Sequence, residues 1–291
     1  MGKYLAIEIG AKEVHHYLGH LENEKLMIEE VYHFDIKTVE KDGKKYKDLL
    51  DIIQGIKTGM IKCRENQTLP IFVGIDTLES ECLLFDQEDN LISDSFEYNN
   101  NNNVQEQKDE GKKNSIISYL KSFSENNLNF SEKIKTLLML PDYMNFLLTG
   151  VKLSEYTIAA TTQLVNPASG GWDDKLIGEL GYSPDIFQEI RRPGAVVGNL
   201  TREVTDEIGY DCIIVLPATY APNSAYFAVP TKEKEDMLNI SDLWSLKYPS
   251  GDDKEYPASA AGNLLVQLIM SHELQDVQTA RECVQKSFNM T

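Results

Sequence analysis

Cysteine is scarce and scattered. The 291 residues hold four, Cys63, Cys82, Cys212 and Cys283, and no Cys-x-x-Cys pair occurs. That excludes a zinc knuckle and a dithiol redox motif. In a chain this long the four are expected to be reduced and buried. Basic residues are also in deficit: 28 Lys and Arg against 46 Asp and Glu, a formal net charge of −18. So acidic a surface repels phosphate backbones and anionic lipid, so neither nucleic acid nor a membrane is an expected partner. Its plain role is solubility. No apolar run approaches the length of a membrane span. The opening Met1-Gly2-Lys3-Tyr4-Leu5-Ala6-Ile7-Glu8 lacks the apolar core of a signal peptide, and Ala6 stands where a myristoylation signal needs a hydroxyl. The expected location is the cytoplasm. Also missing are Gly-x-x-x-x-Gly-Lys-Ser, Gly-x-Gly-x-x-Gly and Gly-x-Ser-x-Gly motifs, which excludes the commonest nucleotide cradles and the hydrolase elbow. Histidine gives no ligand set along the chain. His15 and His16 are adjacent, hence on opposite faces of a strand, and His20 falls in the next turn. No metal centre is expected from them.

What is present is a core-forming composition, 42% apolar and 9% aromatic, with length enough for two domains. Lys3–Ile9 reads as a buried strand, and His16–Leu21 and Lys25–Asp35 as two more, turned by residues 22–24. Over Tyr46–Cys63 the apolar residues Leu49, Ile52, Ile53, Ile56 and Met60 make one helical stripe. Leu69–Ile75 and Glu81–Asp86 read as further strands. Asn99–Asn103 opens a polar, low-complexity stretch that reads as a surface loop. Ile116–Phe123 and Ser131–Leu138 read as helices. Pro141 begins another, for which Gly150 is a suitable stop. Trp172–Leu176 and Pro184–Phe187 are short helix starts, and Cys212–Leu216 is a strand. Leu264–Leu274 and Val277–Phe288 close the chain as apolar helices.

One stretch says more. Residues 138–150 read Leu-Met-Leu-Pro-Asp-Tyr-Met-Asn-Phe-Leu-Leu-Thr-Gly, and residues 154–164 read Ser-Glu-Tyr-Thr-Ile-Ala-Ala-Thr-Thr-Gln-Leu. This string resembles the end of the sugar-binding domain of the FGGY carbohydrate kinases, most closely the rhamnulokinase branch. The resemblance implies an α/β fold: an actin-like (ribonuclease-H-like) N-terminal domain over residues 1–192, and a reduced remnant of the nucleotide-side domain over 193–291. Pro193–Gly198 is similar to the family's interdomain crossing. Residues 239–246 resemble a Ser-Ser-Gly-Thr-Trp-Ser-Leu strand, and residues 258–267 resemble the family's closing helix. Between those two markers the family carries most of its nucleotide half, whereas this chain has a short linker.

The family reaction is phosphoryl transfer from ATP to a ketose such as L-rhamnulose. It needs a phosphate cradle, magnesium and a carboxylate that takes the hydroxyl proton. The first cradle, Asp-Leu-Gly-Ala-Ser-Ser-Gly-Arg in the family, is Glu8-Ile9-Gly10-Ala11-Lys12-Glu13-Val14-His15 here. Glu8 keeps a carboxylate and Lys12 a charge, but the permissive second glycine has become Val14. The second cradle, Gly-Thr, is Asp242-Leu243, which sets a negative charge against a polyphosphate. Where the family has Ser-His-Asp-Thr-Ala-Ser-Ala, this chain has Thr219-Tyr220-Ala221-Pro222-Asn223-Ser224-Ala225. Ala221 takes the position of the base, and Tyr220 and Pro222 flank it. On the sugar side, Gly-Ile-Asp-Thr-Trp-Gly-Val-Asp has become Gly74-Ile75-Asp76-Thr77-Leu78-Glu79-Ser80-Glu81. Asp76 and Thr77 are kept, and Glu79 puts a side chain where the family has glycine. Alternation brings Glu79 and Glu81 to one side of the chain. The expectation is a rhamnulokinase-like chain without catalysis, with ATP, magnesium and a ketose as the family's ligands. Its rivals are a regulatory module pairing with itself or with an intact kinase, and an active kinase whose base has moved to Asp76 or Glu79.

Overall fold

The computed structural model describes residues 2–41, 43–93, 116–126, 133–229, 246–249 and 255–288. The chain opens with a meander of β1 (Tyr4–Ile9), β2 (Glu13–Glu22) and β3 (Lys25–Asp35). Asn23 and Glu24, at φ 50° and 61°, supply the left-handed positions that a tight hairpin demands. A second hairpin pairs β4 (Thr38–Lys41) with β5 (Lys44–Lys47) and leads to α1 (Leu49–Glu65). This corrects the expected helix start at Tyr46. Tyr46 pairs with Val39, and the Asp48 carboxylate accepts the Leu50 and Asp51 N–H groups as N-cap, so the helix begins at Leu49.

Next come β6 (Phe72–Thr77), β7 (Cys82–Phe85), β8 (Leu91–Ser93), α2 (Ile116–Asn126), β9 (Thr136–Met139) and α3 (Leu140–Thr149). β9 corrects the helix expected over Ser131–Leu138. It is buried along its length and pairs antiparallel with β7, and a short apolar run by its spacing alone fits either structure. Gly150 ends α3 at φ 73°, as expected. There follow β10 (Ser154–Glu155), α4 (Tyr156–Thr161), α5 (Asp174–Glu179), a 3-10 turn at Pro184–Ile186, β11 (Ile190–Arg191), β12 (Val196–Asn199), α6 (Arg202–Ile208), β13 (Ile213–Val215) and α7 (Ala221–Phe227). Then come β14 (Lys247–Pro249), β15 (Glu255–Pro257), α8 (Ala258–Met270) and α9 (Val277–Ser287). The asparagine run at 99–103 and the Asp242-Leu243 pair lie outside the described residues.

The central sheet runs β12-β13-β6-β1-β2-β3, with β1, β6 and β13 parallel and β2 and β3 antiparallel to their neighbours. An antiparallel meander continued by parallel strands is the actin-like arrangement that the resemblance implies. β12 and β13, both beyond residue 192, hydrogen-bond into this same sheet.

Alternation along β1 explains the two cores. Leu5, Ile7 and Ile9 face a layer that includes Ile52, Ile56 and Met60 of α1, Met144 and Leu148 of α3, and Val204 and Ile208 of α6. Tyr4 and Ala6 face the opposite layer, with Ala225 of α7, Leu264 and Leu268 of α8, and Val284 of α9. A third cluster gathers around β7 and β9 with Leu120, Ile158 and Phe187. All four cysteines are free and buried. No helix among the described residues is long and apolar enough to cross a membrane.

α8 crosses α7 at Gly262, where a Cβ would stand 1.6 Å from the Ser224 carbonyl oxygen. Alanine in a helix gains about 0.5–1 kcal/mol over glycine in propensity. Overpacking costs about 1–3 kcal/mol, and here the obstacle is backbone. Gly262→Ala is therefore expected to lower the urea midpoint at unchanged m-value. A raised midpoint would show that the two helices can separate freely.

Candidate functional site

Parallel pairing of β1 and β6 sets Glu8 directly beside Asp76. Both side chains point away from the α1 layer, and both residues are buried, at 7% and 0% exposure. α8 covers them with a polar stripe at helical spacing. Ser259 Oγ donates to Glu8, Asn263 Nδ2 donates to Asp76 Oδ2 at 3.0 Å, and Gln267 Nε2 donates to the Leu5 carbonyl at 2.9 Å. Gln267 also donates to Asn263 Oδ1 at 2.8 Å, which fixes that amide with its NH₂ toward Asp76. Among the described residues, the buried Asp76 Oδ1 has no hydrogen-bond partner. Burial pushes both carboxyl groups above their usual range; for Asp76 the Glu8 charge adds to the rise, while Asn263 opposes it.

The segment expected to carry the base lies at the edge of this pair. Thr77 N–H donates to the Thr219 carbonyl at 2.9 Å, and Thr77 forms a bridge with Tyr220. Tyr220 is the N-cap of α7, Ala221 is its first residue and is 1% exposed, and Pro222 follows in the first turn. Glu155 holds the segment. As the N-cap of α4 it accepts from the Thr157 and Ile158 N–H groups at 2.8 and 3.2 Å. Its Oε2 also accepts from Thr219 N–H at 3.0 Å and Thr219 Oγ1 at 2.8 Å.

Glu79 and Glu81 lie between β6 and β7 rather than on a strand, and they share one cation. Lys47 Nζ donates to Glu79 Oε2 at 2.7 Å and to Glu81 Oε1 at 2.5 Å. Burial alone would lower the Lys47 pKa, but the two carboxylates outweigh it and hold the ammonium above its ordinary value. Burial pushes Glu81 up to about 7 against the pull of Lys47.

Gly10, Ala11 and Lys12 form the turn between β1 and β2, where Gly10 N–H donates to the Glu13 carbonyl at 2.9 Å. That amide therefore does not face a ligand, and Glu13 brings a carboxylate to the same turn. A magnesium ion, as the resemblance implies, would find hard oxygen donors in Glu8 and Asp76, and the orphaned Asp76 Oδ1 fits that role. Sequence reading missed Lys47, Glu155, Ser259, Asn263 and Gln267. The last three carried a signal: polar residues at i, i+4 and i+8 inside an apolar helix.

Raised pKa values give the pH response its sign. Between the ordinary carboxyl range and the folded-state value, the folded chain keeps protons that the unfolded chain has released. The contribution of Asp76 is therefore whole below about pH 4 and is lost as pH rises. Asp76→Asn removes that titration. Its urea midpoint is expected to fall less between pH 5 and pH 8 than that of the natural chain. Equal slopes would mean that Asp76 is not held protonated.

Comparison with known proteins agrees with this geometry. Residues 3–227 match the FGGY family of carbohydrate kinases, N-terminal domain. A rhamnulokinase of Halalkalibacterium halodurans is 36% identical over 262 residues, covering 84% of this chain and 56% of the relative. One of Oceanobacillus iheyensis is 36% identical over 265 residues, covering 83% and 55%. Among solved structures, a xylulose kinase of Rhodospirillum rubrum superposes with a TM-score of 0.64 at 15% identity, covering 79% of this chain and 51% of that one. A ligand-bound xylulose kinase of Lactobacillus acidophilus superposes with a TM-score of 0.62 at 16% identity, covering 79% and 51%. The chain thus spans about half the length of the relatives it matches. With the family match extending over most of its residues and the actin-like sheet beneath it, this chain belongs to the FGGY family of carbohydrate kinases.

Proposed function

We propose that this protein is a rhamnulokinase-like chain that does not catalyse phosphoryl transfer. The observation that carries the reading is Ala221. A methyl group, buried at the first position of α7, stands where the family resemblance calls for a carboxylate, and a methyl group accepts no proton. Two further observations support it. Ser259 and Asn263 occupy the carboxylate pair from the α8 side, and the turn at Gly10–Glu13 lacks a free phosphate cradle. In this reading residues 193–291 are the reduced remnant of the nucleotide-side half, although the family match itself runs to residue 227. Glu79, tied to Lys47, takes the space of the family's second glycine on the sugar side.

One observation favours retained activity, with the base at Glu81 rather than at Asp76 or Glu79. Glu81, raised to about 7, has the proton affinity of a good general base near neutral pH.

A coupled ADP-release assay with L-rhamnulose, L-fuculose and xylulose separates the two. The natural chain is expected to turn over at least roughly 10²-fold more slowly than an intact rhamnulokinase. Ala221→Asp is expected to recover little, because the cradle is altered as well. Turnover at the intact enzyme's rate, abolished by Glu81→Gln, would establish the relocated base instead. A thermal-shift screen with Mg-ATP and the same ketoses separates lost chemistry from lost binding. A ligand at one hundred times its Kd adds about 2.7 kcal/mol of stability, and the expected shift with Mg-ATP is nil.

A further inference from the structure

We infer that the β2–β3 hairpin carries a site for zinc or a similar imidazole-preferring divalent ion, formed by His15, Glu30 and His33. His15 on β2 pairs directly with His33 on β3, so the two rings share a face of the sheet, with centroids 5.7 Å apart. Glu30 joins them because of a bulge. In a regular strand residues 30 and 33 would lie on opposite faces. Here the register shifts between His16, paired with Tyr32, and Tyr17, paired with Glu30, which leaves Val31 as the extra residue. The bulge turns Glu30 onto the face of both histidines.

The donor atoms converge. Glu30 Oε1 lies 2.6 Å from His15 Nδ1 and 3.3 Å from His33 Nδ1. One ligand atom from each residue falls within 4.8 Å of the other two. Around a tetrahedral zinc ion with bonds of about 2.0–2.1 Å, ligand atoms stand about 3.4 Å apart. The closest pair must therefore open by less than about 1 Å.

Glu13 completes the arrangement. Its Oε2 lies 3.3 Å from His15 Nε2. A proton on Nε2, donated to that carboxylate, leaves the Nδ1 lone pair for the metal. A carboxylate behind a ligating histidine is the usual outer partner of protein zinc. The side chains of His15, Glu30 and His33 are 26%, 34% and 61% exposed, so an ion can enter and a water can take the fourth position. Two imidazoles and one carboxylate suit zinc, cobalt or nickel rather than magnesium. The site is thus chemically distinct from the Glu8–Asp76 pair, although His15 is the cross-strand partner of Glu8.

The test is a zinc titration of the metal-free full chain by calorimetry, with cobalt absorption as a probe of coordination geometry. One ion per chain is expected, with a tetrahedral cobalt spectrum and no displacement by excess magnesium. His15→Ala and His33→Ala should each weaken binding tenfold or more. Glu13→Gln should weaken it roughly 10–100-fold while keeping the stoichiometry. His20→Ala should change nothing. Unfolding of the metal-free variants should match the natural chain, and if His15→Ala is unstable, the more exposed His33→Ala decides. No saturable binding, or binding that survives in the His15→Ala/His33→Ala double variant, would show a hydrogen-bonded cross-strand cluster only and overturn the assignment.

Discussion

Two carboxylates side by side in a protein interior cannot both be charged without a cation or a dense set of donors. Parallel pairing of β1 with β6 imposes that condition on Glu8 and Asp76, and much of one face of the sheet answers it. Ser259 and Asn263 reach the pair from α8, and Gln267 locks the Asn263 amide and ties the helix to β1. The polar stripe can reach only because α8 passes against α7 with no side chain between them at Gly262. Backbone contact, polar stripe and carboxylate pair therefore form one mechanical unit. A methyl at the crossing would press on the Ser224 carbonyl of α7.

A second unit positions the segment around Ala221. Glu155 serves two structures at once, capping α4 and accepting both donors of Thr219. The segment is thus held as firmly as a working site would need, although the residue it presents is alanine. In the proposed reading, geometry and chemistry have separated here: the frame around the position persists without the carboxylate that the resemblance calls for. The Lys47 ammonium between Glu79 and Glu81 belongs to the same picture. It balances the charge of the two carboxylates, and it comes from a hairpin immediately before α1.

Family membership and fold class were legible in the sequence, because they rest on local strings. The Leu138–Gly150 and Ser154–Leu164 stretches, the β1 alternation and the Gly150 stop each depend on neighbours within a few residues. The helix expected over Ser131–Leu138 and the start expected at Tyr46 failed for a shared reason. Thr136–Met139 is a strand because β7 lies ready to pair with it, and Tyr46 is in a strand because Val39 does. A pairing partner, near in the chain for Tyr46 and distant for Thr136–Met139, overrides the spacing of apolar residues.

What the residues determined alone is which groups are present: an alanine at position 221, carboxylates at Glu8 and Asp76, and a large excess of acidic over basic residues. What only tertiary structure decided is which of them meet. Asn263 lies 187 residues from Asp76 in the chain and 3.0 Å from it in the fold. Without its bulge the β2–β3 hairpin would have set Tyr32, not His33, opposite His15. Strand register is a choice among pairings of similar local energy, settled by how the whole sheet packs, and no spacing along a single strand records that choice.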